Sequence, residues 1–165
     1  MKKIASIFCV ALITFLTVPF AAFNQGSLIS GLLTKYYNIK NALLANDAVN
    51  AAKEAADFAA LAKGIDITVF AAGEQQIFKS IQGKLVADAS TIAGSKDLTK
   101  QRASFQTLSA NVIALSKATK VDNPVYVAYC PMKKAYWLSA EQVIKNPYYG
   151  TAMLTCGSVT ETIKP

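Results

Sequence analysis

The sequence contains no histidine among its 165 residues. This absence excludes histidine-dependent catalytic triads, histidine general bases and histidine zinc sites, because each of them needs an imidazole near neutral pH. Charged residues are also scarce, at 16% of the chain, whereas 53% of the residues are hydrophobic. An intrinsically disordered chain has the opposite balance. We therefore expect a folded protein, and the length suits one domain after any targeting segment.

Motifs that signal familiar enzyme chemistry are missing as well. The sequence has no glycine-rich phosphate loop, no acidic calcium loop and no pair of cysteines separated by two residues. Acid-base chemistry would fall to scattered carboxylates such as Asp88, Asp97 and Glu141, which are more typical of solvated helix surfaces. The basic excess is equally scattered, so it does not indicate nucleic-acid binding. We predict that the protein is not an enzyme and has no nucleic-acid partner.

The N-terminal segment has the pattern of an export signal. Lys2 and Lys3 precede an uncharged, mostly apolar run over residues 4–23, which ends in small side chains. We predict a signal peptide over residues 1–23 and a periplasmic or otherwise exported protein without stable membrane insertion. A run of this length could alternatively form a transmembrane anchor. Cleavage would remove both lysines and Cys9, lowering the net charge from +7 to about +5 and leaving Cys130 and Cys156 as the remaining cysteines.

Proline is absent from Ser27 to Lys120, and alanine and leucine are abundant there. This composition is typical of packed helices. Apolar side chains recur every three or four residues in four stretches, so we predict an antiparallel bundle of about four helices over residues 24–121. Residues 65–73 could form either a short strand or a linker. The expected inward-facing residues are Leu28, Leu32, Tyr36, Ile39 and Leu43; Ala48, Ala52, Ala55, Phe58, Ala59 and Ala62; Ile77, Ile81, Leu85, Ala89 and Ile92; and Leu98, Phe105, Leu108, Val112 and Leu115.

Residues 122–165 have a different composition, with tyrosines, the only tryptophan, prolines and glycines close together. Alternation predicts short strands at residues 125–129 and 136–138. Ser139 is expected to cap a helical turn that runs to Ile144 and stops at Asn146 and Pro147. The overall prediction is a mainly α domain whose C-terminal part is a small, aromatic-rich α+β cap. The aromatic side chains are expected in its core.

Within this cap, each cysteine has a methionine nearby in the sequence. Cys130 precedes Met132 by two residues, and Met153 precedes Cys156 by three. On an extended chain and on a turn, respectively, these spacings place two side chains on one side. Two thiolates and two thioethers form a soft ligand set, which selects copper(I) or silver(I). Two alternatives remain open, because methionine is also a common core residue and exported cysteines often form a disulfide.

Two blocks of the sequence resemble a known family. One is YNIKNALLANDAVNAAKEAADF, starting at Tyr37, and the other comprises YCPM, AYWLS and IKNPYYGTAMLTCGSV. They resemble an exported bacterial domain of uncharacterised function, frequent in Bacteroidetes, which occurs alone or attached to membrane-fusion subunits of copper and silver efflux systems. The resemblance implies periplasmic handling of a heavy metal, with such a membrane-fusion protein as a possible partner. Cys130, Met132, Met153 and Cys156 occupy the positions that match the motif.

Two functions thus follow from the sequence. The first is a binding module in which these four residues hold one copper(I) or silver(I) ion. The second is a non-catalytic structural or interaction protein in which a disulfide between Cys130 and Cys156 stabilises the cap.

Overall fold

The computed structural model describes residues 25–165, except for the side chains of Gln25 and Ser27. The predicted signal peptide over residues 1–23 lies outside the described residues. Four helices are followed by a small antiparallel sheet, which confirms the predicted fold class. The helices are α1 (Gln25–Leu44), α2 (Ala48–Gly64), α3 (Ala72–Ala93) and α4 (Leu98–Ala118).

Aspartate side chains begin two of these helices. The carboxylate of Asp47 accepts a hydrogen bond from the backbone N–H of Asn50 at 2.9 Å, and that of Asp97 accepts one from Thr99 at 2.8 Å. Each bond satisfies a backbone donor that has no partner within the helix. Helix α3 ends at Gly94, whose backbone N–H donates to the carbonyl of Ser90.

Each helix packs mainly against the next one in the chain, and the core lies between them. Most of the predicted inward-facing residues are buried. On two helices, however, one buried residue lies one position away from the residue that was predicted. On α2 the fully buried residue is Ala51, whereas Ala52 is only partly buried. On α3 Phe78 is buried and Ile77 is exposed. The ring of Phe78 stacks on Phe70 at a centroid distance of 4.8 Å, and burying this larger side chain sets the rotation of the helix.

The segment between α2 and α3 is a linker, one of the two predicted alternatives. It contains a single short 3-10 helix at Ile67–Val69. None of the helices within residues 25–165 combines the length and apolar character needed to cross a bilayer.

The C-terminal sheet has three strands in the order β2-β1-β3, with both neighbouring pairs antiparallel. Strands β1 (Val125–Cys130) and β2 (Ala135–Ser139) confirm the two predicted strands, and β2 packs against α4. Strand β3 (Ser158–Ile163) was not predicted. Its side chains are exposed or only partly buried, so the sequence there lacks the alternation of apolar and polar residues that identifies a half-buried strand.

The connection from β2 to β3 is irregular, and the helical turn predicted from Ser139 to Ile144 is wrong. Residues 140–143 form bends, and a short 3-10 helix follows at Gly150–Met153. The hydroxyl of Ser139 accepts a hydrogen bond from the backbone N–H of Glu141 at 3.2 Å, which closes a local turn instead of starting a helix. This connection carries Met153 and Cys156.

Candidate functional site: a pair of cysteine thiols

The sheet brings Cys130 and Cys156 together from opposite ends of the cap. Cys130 is the last residue of β1 and is buried, whereas Cys156 lies two residues before β3 and is half-buried. Tyr129 pairs with Ser158 in the sheet, which places the two cysteines side by side. Their sulfur atoms are 3.6 Å apart. A disulfide has a bond of about 2.05 Å, so the structure contains two free thiols and does not support the predicted disulfide.

The two thiols differ in acidity. Burial opposes ionisation of Cys130, but hydrogen bonds outweigh it and lower the pKa of its thiol below the ordinary 9.0. The donors include the backbone N–H of Lys133, 3.4 Å from the sulfur, and the thiol of Cys156. The pKa of Cys156 is raised, first by its hydrogen bond to Cys130 and then by burial. Cys130 is therefore the thiol that ionises first, and a hydrogen bond from Cys156 favours its thiolate form.

Asn146 holds the loop that carries Cys156. Its side chain is fully buried. The amide nitrogen donates a hydrogen bond to the backbone carbonyl of Cys156 at 2.7 Å, and the amide oxygen accepts one from the backbone N–H of Tyr148 at 2.8 Å. The same side chain also lowers the pKa of Cys130 by hydrogen bonding. One residue thus fixes the backbone beside one thiol and stabilises the thiolate of the other.

Gly157 allows the loop to approach the sheet closely. Its φ angle is +138°, in the region that favours glycine. A Cβ atom there would lie 2.7 Å from the carbonyl oxygen of Tyr129 and 2.8 Å from Cη2 of Trp137. Because neither the strand backbone nor the buried Trp137 can shift easily, only glycine fits at the position after Cys156.

Arg102 joins the same loop to the helical bundle. From α4, its guanidinium donates hydrogen bonds to the carbonyl of Pro147, the carbonyl of Leu43 and the side chain of Asn46. Asn46 in turn donates to the hydroxyl of Thr151 at 3.1 Å. The loop is therefore fixed against the turn between α1 and α2 as well as against the sheet.

The two predicted methionine ligands lie at the surface. Met132 is in the turn between β1 and β2 with 66% of its surface exposed, and Met153 ends the short 3-10 helix at 38%. The backbone N–H of Met132 favours the thiolate of both cysteines. The backbone carbonyl of Met153 accepts a hydrogen bond from the backbone N–H of Cys156 at 3.2 Å. The structure thus brings the cysteines into contact and leaves both methionine side chains exposed at the surface.

The donor set suits only some ions. Within residues 25–165, no group of three or more cysteine, aspartate, glutamate or histidine side chains could hold a metal ion. Hard ions such as magnesium and calcium prefer several oxygen ligands, which this site lacks. Two thiol sulfur atoms in contact can hold a soft ion, or they can exchange with a disulfide.

Sequence reasoning identified the two cysteines but missed the residues that position them. Asn146 and Pro147 were interpreted as a helix stop, and Gly157 was not singled out. The signal available was their place within the IKNPYYGTAMLTCGSV block. Their roles depend on contacts with β1, which spacing along the chain does not show.

These observations define a helical-bundle domain with a thiol pair at its C-terminal cap. The chain belongs to the family described as "Protein of unknown function (DUF3347)", whose model matches residues 32–124. The match covers most of the bundle and ends before β1, so both cysteines lie outside it. No curated protein and no solved structure matches the chain.

Proposed function

We propose that the protein binds one copper(I) or silver(I) ion outside the cytoplasm, with Cys130 and Cys156 as its principal ligands. The observation that carries this proposal is the contact of two free thiols, 3.6 Å apart, of which one has a lowered pKa. Thiolates are the protein ligands for soft metal ions, and binding releases their protons. Because the site already favours one thiolate, removing that proton when the ion binds costs less free energy than it would for an ordinary thiol.

The separation of the sulfurs also fits a shared ion. With the bond length of about 2.3 Å and the tetrahedral angle known for zinc thiolates, two sulfurs that share one ion are about 3.8 Å apart. The observed 3.6 Å requires only a small adjustment. Met132 and Met153 are flexible and exposed, so their thioethers can turn toward the pair and complete the shell. Thioethers favour monovalent copper or silver over zinc, which seldom takes methionine.

We further propose that the protein acts in handling heavy metal in the periplasm, with a membrane-fusion subunit of an efflux system as its partner. The support is the resemblance of its two sequence blocks to exported domains attached to such subunits. The exposure of Met132 and Met153 is suited to this role, because a partner can reach an ion held beside them.

A competition titration tests metal binding directly. The reduced protein is titrated with copper(I) against a chromophoric copper(I) chelator, beside Cys130→Ser and Cys156→Ser variants. We expect one tight equivalent for the unmodified protein and loss of that equivalent in both variants. Unchanged affinity in the cysteine variants would reject the proposal.

The methionines are tested with Met132→Leu and Met153→Leu, which conserve volume and remove only the sulfur. We expect weaker binding in each and a larger loss in the double variant. Intact mass measured with and without reductant provides the control on redox state. A pair that is always oxidised in the isolated protein would contradict metal binding and favour the structural alternative.

A further inference from the structure

A second candidate site lies along α1 and is not lined by either cysteine. Two adjoining cavities of about 450 and 440 Å³ share Thr34, Tyr37 and Ala140 as lining residues. They form one groove between α1 and the segments that precede β1 and follow β2. We call it the α1 groove.

A buried lysine lines the α1 groove. Lys40 is only 6% exposed, and its ammonium donates one long hydrogen bond, 3.3 Å, to the hydroxyl of Ser139. Its other contact is the face of the Tyr37 ring, with the nitrogen 5.4 Å from the centroid. Among the described residues, no carboxylate lies within 4 Å of this nitrogen. Lysines buried this deeply are normally paired, so the ammonium retains unused donor capacity.

An unpaired hydroxyl lies on the same helix. The hydroxyl of Tyr37 is buried and has no hydrogen-bond partner within the described part of the chain. Tyr37 and Lys40 are three residues apart on α1, so they lie on one face. Buried polar groups in native proteins are normally satisfied by protein, water or a ligand. The Lys40 ammonium and the Tyr37 hydroxyl both have unused donor capacity and belong to the same groove. Together they indicate that a hydrogen-bond acceptor from a ligand belongs there.

We infer that the α1 groove binds a small organic anion whose carboxylate or phosphate group accepts hydrogen bonds from Lys40 and Tyr37. The groove also offers Asn38, Asn41 and Thr34, which can bond polar groups elsewhere on such a ligand. The other charged groups along it are Asp122 at one end and, at the other, Glu141 and Lys145. These last two pair with each other at 3.1 Å, which leaves Lys40 as the cation that an anion would meet.

The acidity of Lys40 agrees with this geometry. Burial lowers the pKa of its ammonium to about 8, with Glu141 acting against the shift and Lys145 adding to it. The group is therefore mostly protonated at pH 7 and able to donate. Tyr37 has a pKa raised by burial to about 12, so its hydroxyl keeps its proton over the same range.

The test is an NMR titration of the protein at pH 7 with acetate, inorganic phosphate and the neutral acetate analogue acetamide. We expect acetate or phosphate, or both, to shift the resonances of α1 residues around Tyr37 and Lys40, and acetamide to leave them unchanged. The response to acetate against phosphate identifies the anion class. Absence of a shift with either anion, or equal shifts with acetamide, would overturn the inference.

Three variants localise the effect. Lys40→Met should weaken anion binding by about tenfold or more, as expected for loss of a charged hydrogen-bond donor. Lys63→Met removes the same charge from an exposed position on α2 and should bind as the unmodified protein does. Tyr37→Phe should weaken binding severalfold without lowering the melting temperature, because it removes a hydroxyl that has no partner. Equal binding by Lys40→Met and Lys63→Met would contradict the site.

Discussion

The hydroxyl of Tyr36, on α1, accepts a hydrogen bond from the backbone N–H of Leu138, on β2, at 3.1 Å. It also contacts the hydroxyl of Ser109, on α4, at 2.7 Å, and its ring stacks on Phe105. The hydroxyl of Tyr148 likewise donates to the backbone carbonyl of Tyr136. Two tyrosines thus satisfy backbone groups of β2, an outer strand of the sheet, and attach the cap to the bundle.

The first prediction concerns this link. Tyr36→Phe should destabilise the protein by about 1–3 kcal/mol, because the buried N–H of Leu138 is left without a partner while the aromatic packing is kept. The free energy of unfolding from urea denaturation measures the loss. Ser109→Ala is the matched control, and it should cost less because the bond to Leu138 remains. A larger loss for Ser109→Ala would contradict this account.

The second prediction concerns the titration of the thiol pair. The lowered pKa of Cys130 and the raised pKa of Cys156 mean that the pair should lose its protons in two separated steps. Ultraviolet absorbance of the thiolate, followed against pH in reduced protein, resolves these steps. The first should fall below pH 9 and the second above it.

Single variants should shift the remaining thiol in opposite directions. Cys156→Ala removes a donor to the Cys130 thiolate, so the pKa of Cys130 should rise. Cys130→Ala removes the hydrogen bond and negative charge that raise the pKa of Cys156, so that pKa should fall. Shifts of the same sign in the two variants would show that the assignment of thiolate and thiol is wrong.

The helical body was predictable because it depends on local features of the chain. Caps at Asp47 and Asp97, the end of α3 at Gly94 and the absence of proline act within a few residues. The choice between neighbouring positions, such as Ile77 or Phe78, depends on a partner elsewhere in the chain, here Phe70. Periodicity alone therefore located the helices and left their rotation uncertain by about one residue.

The candidate site was predictable only in part, because it too depends on contacts between residues that are far apart in the chain. Cys130 and Cys156 stand out by residue type, and β3, which aligns them, has too few buried side chains to be recognised. Asn146 acts through backbone contacts made ten residues away, and Lys40 acts through burial against Ser139 at the end of β2. Nothing in the local sequence marks either contact.

The third prediction concerns the glycine beside Cys156. Gly157→Ala should destabilise the protein by about 1–3 kcal/mol, because alanine at a φ of +138° is strained and its Cβ would collide with Tyr129 and Trp137. The displaced loop should also separate the two thiols, so the pKa of Cys130 should move back toward its ordinary value. Denaturation and thiolate absorbance measure the two effects.

Gly83, in the interior of α3, provides the matched control for this substitution. A Cβ atom at Gly83 would meet nothing within 4 Å, and the backbone there is helical. Gly83→Ala should therefore stabilise the protein by about 0.5–1 kcal/mol through the higher helix propensity of alanine. The thiol titration should not change. Destabilisation by both substitutions would argue against a specific role for Gly157.

The fourth prediction uses the buried Lys40 and holds whether or not the α1 groove binds an anion. Its pKa is about 8 in the folded protein and 10.5 as the ordinary value. Between pH 8 and pH 10.5, Lys40 is more fully protonated in the unfolded chain than in the folded protein. The free energy of unfolding should therefore rise with pH over this range, relative to that of a variant without the charge. Below pH 8 the unfavourable burial of the charge is fully present, and it amounts to at most about 3 kcal/mol.

Urea denaturation of the unmodified protein and of Lys40→Met at pH 7 and pH 9.5 measures this difference directly. Lys40→Met should be the more stable protein at pH 7, and its advantage should shrink at pH 9.5. Comparison of the two proteins at each pH cancels the titration of the thiols, which both proteins contain. Tyr37 keeps its proton at both values, since its pKa is about 12. A difference that does not vary with pH would mean that Lys40 is not buried as a charge in solution.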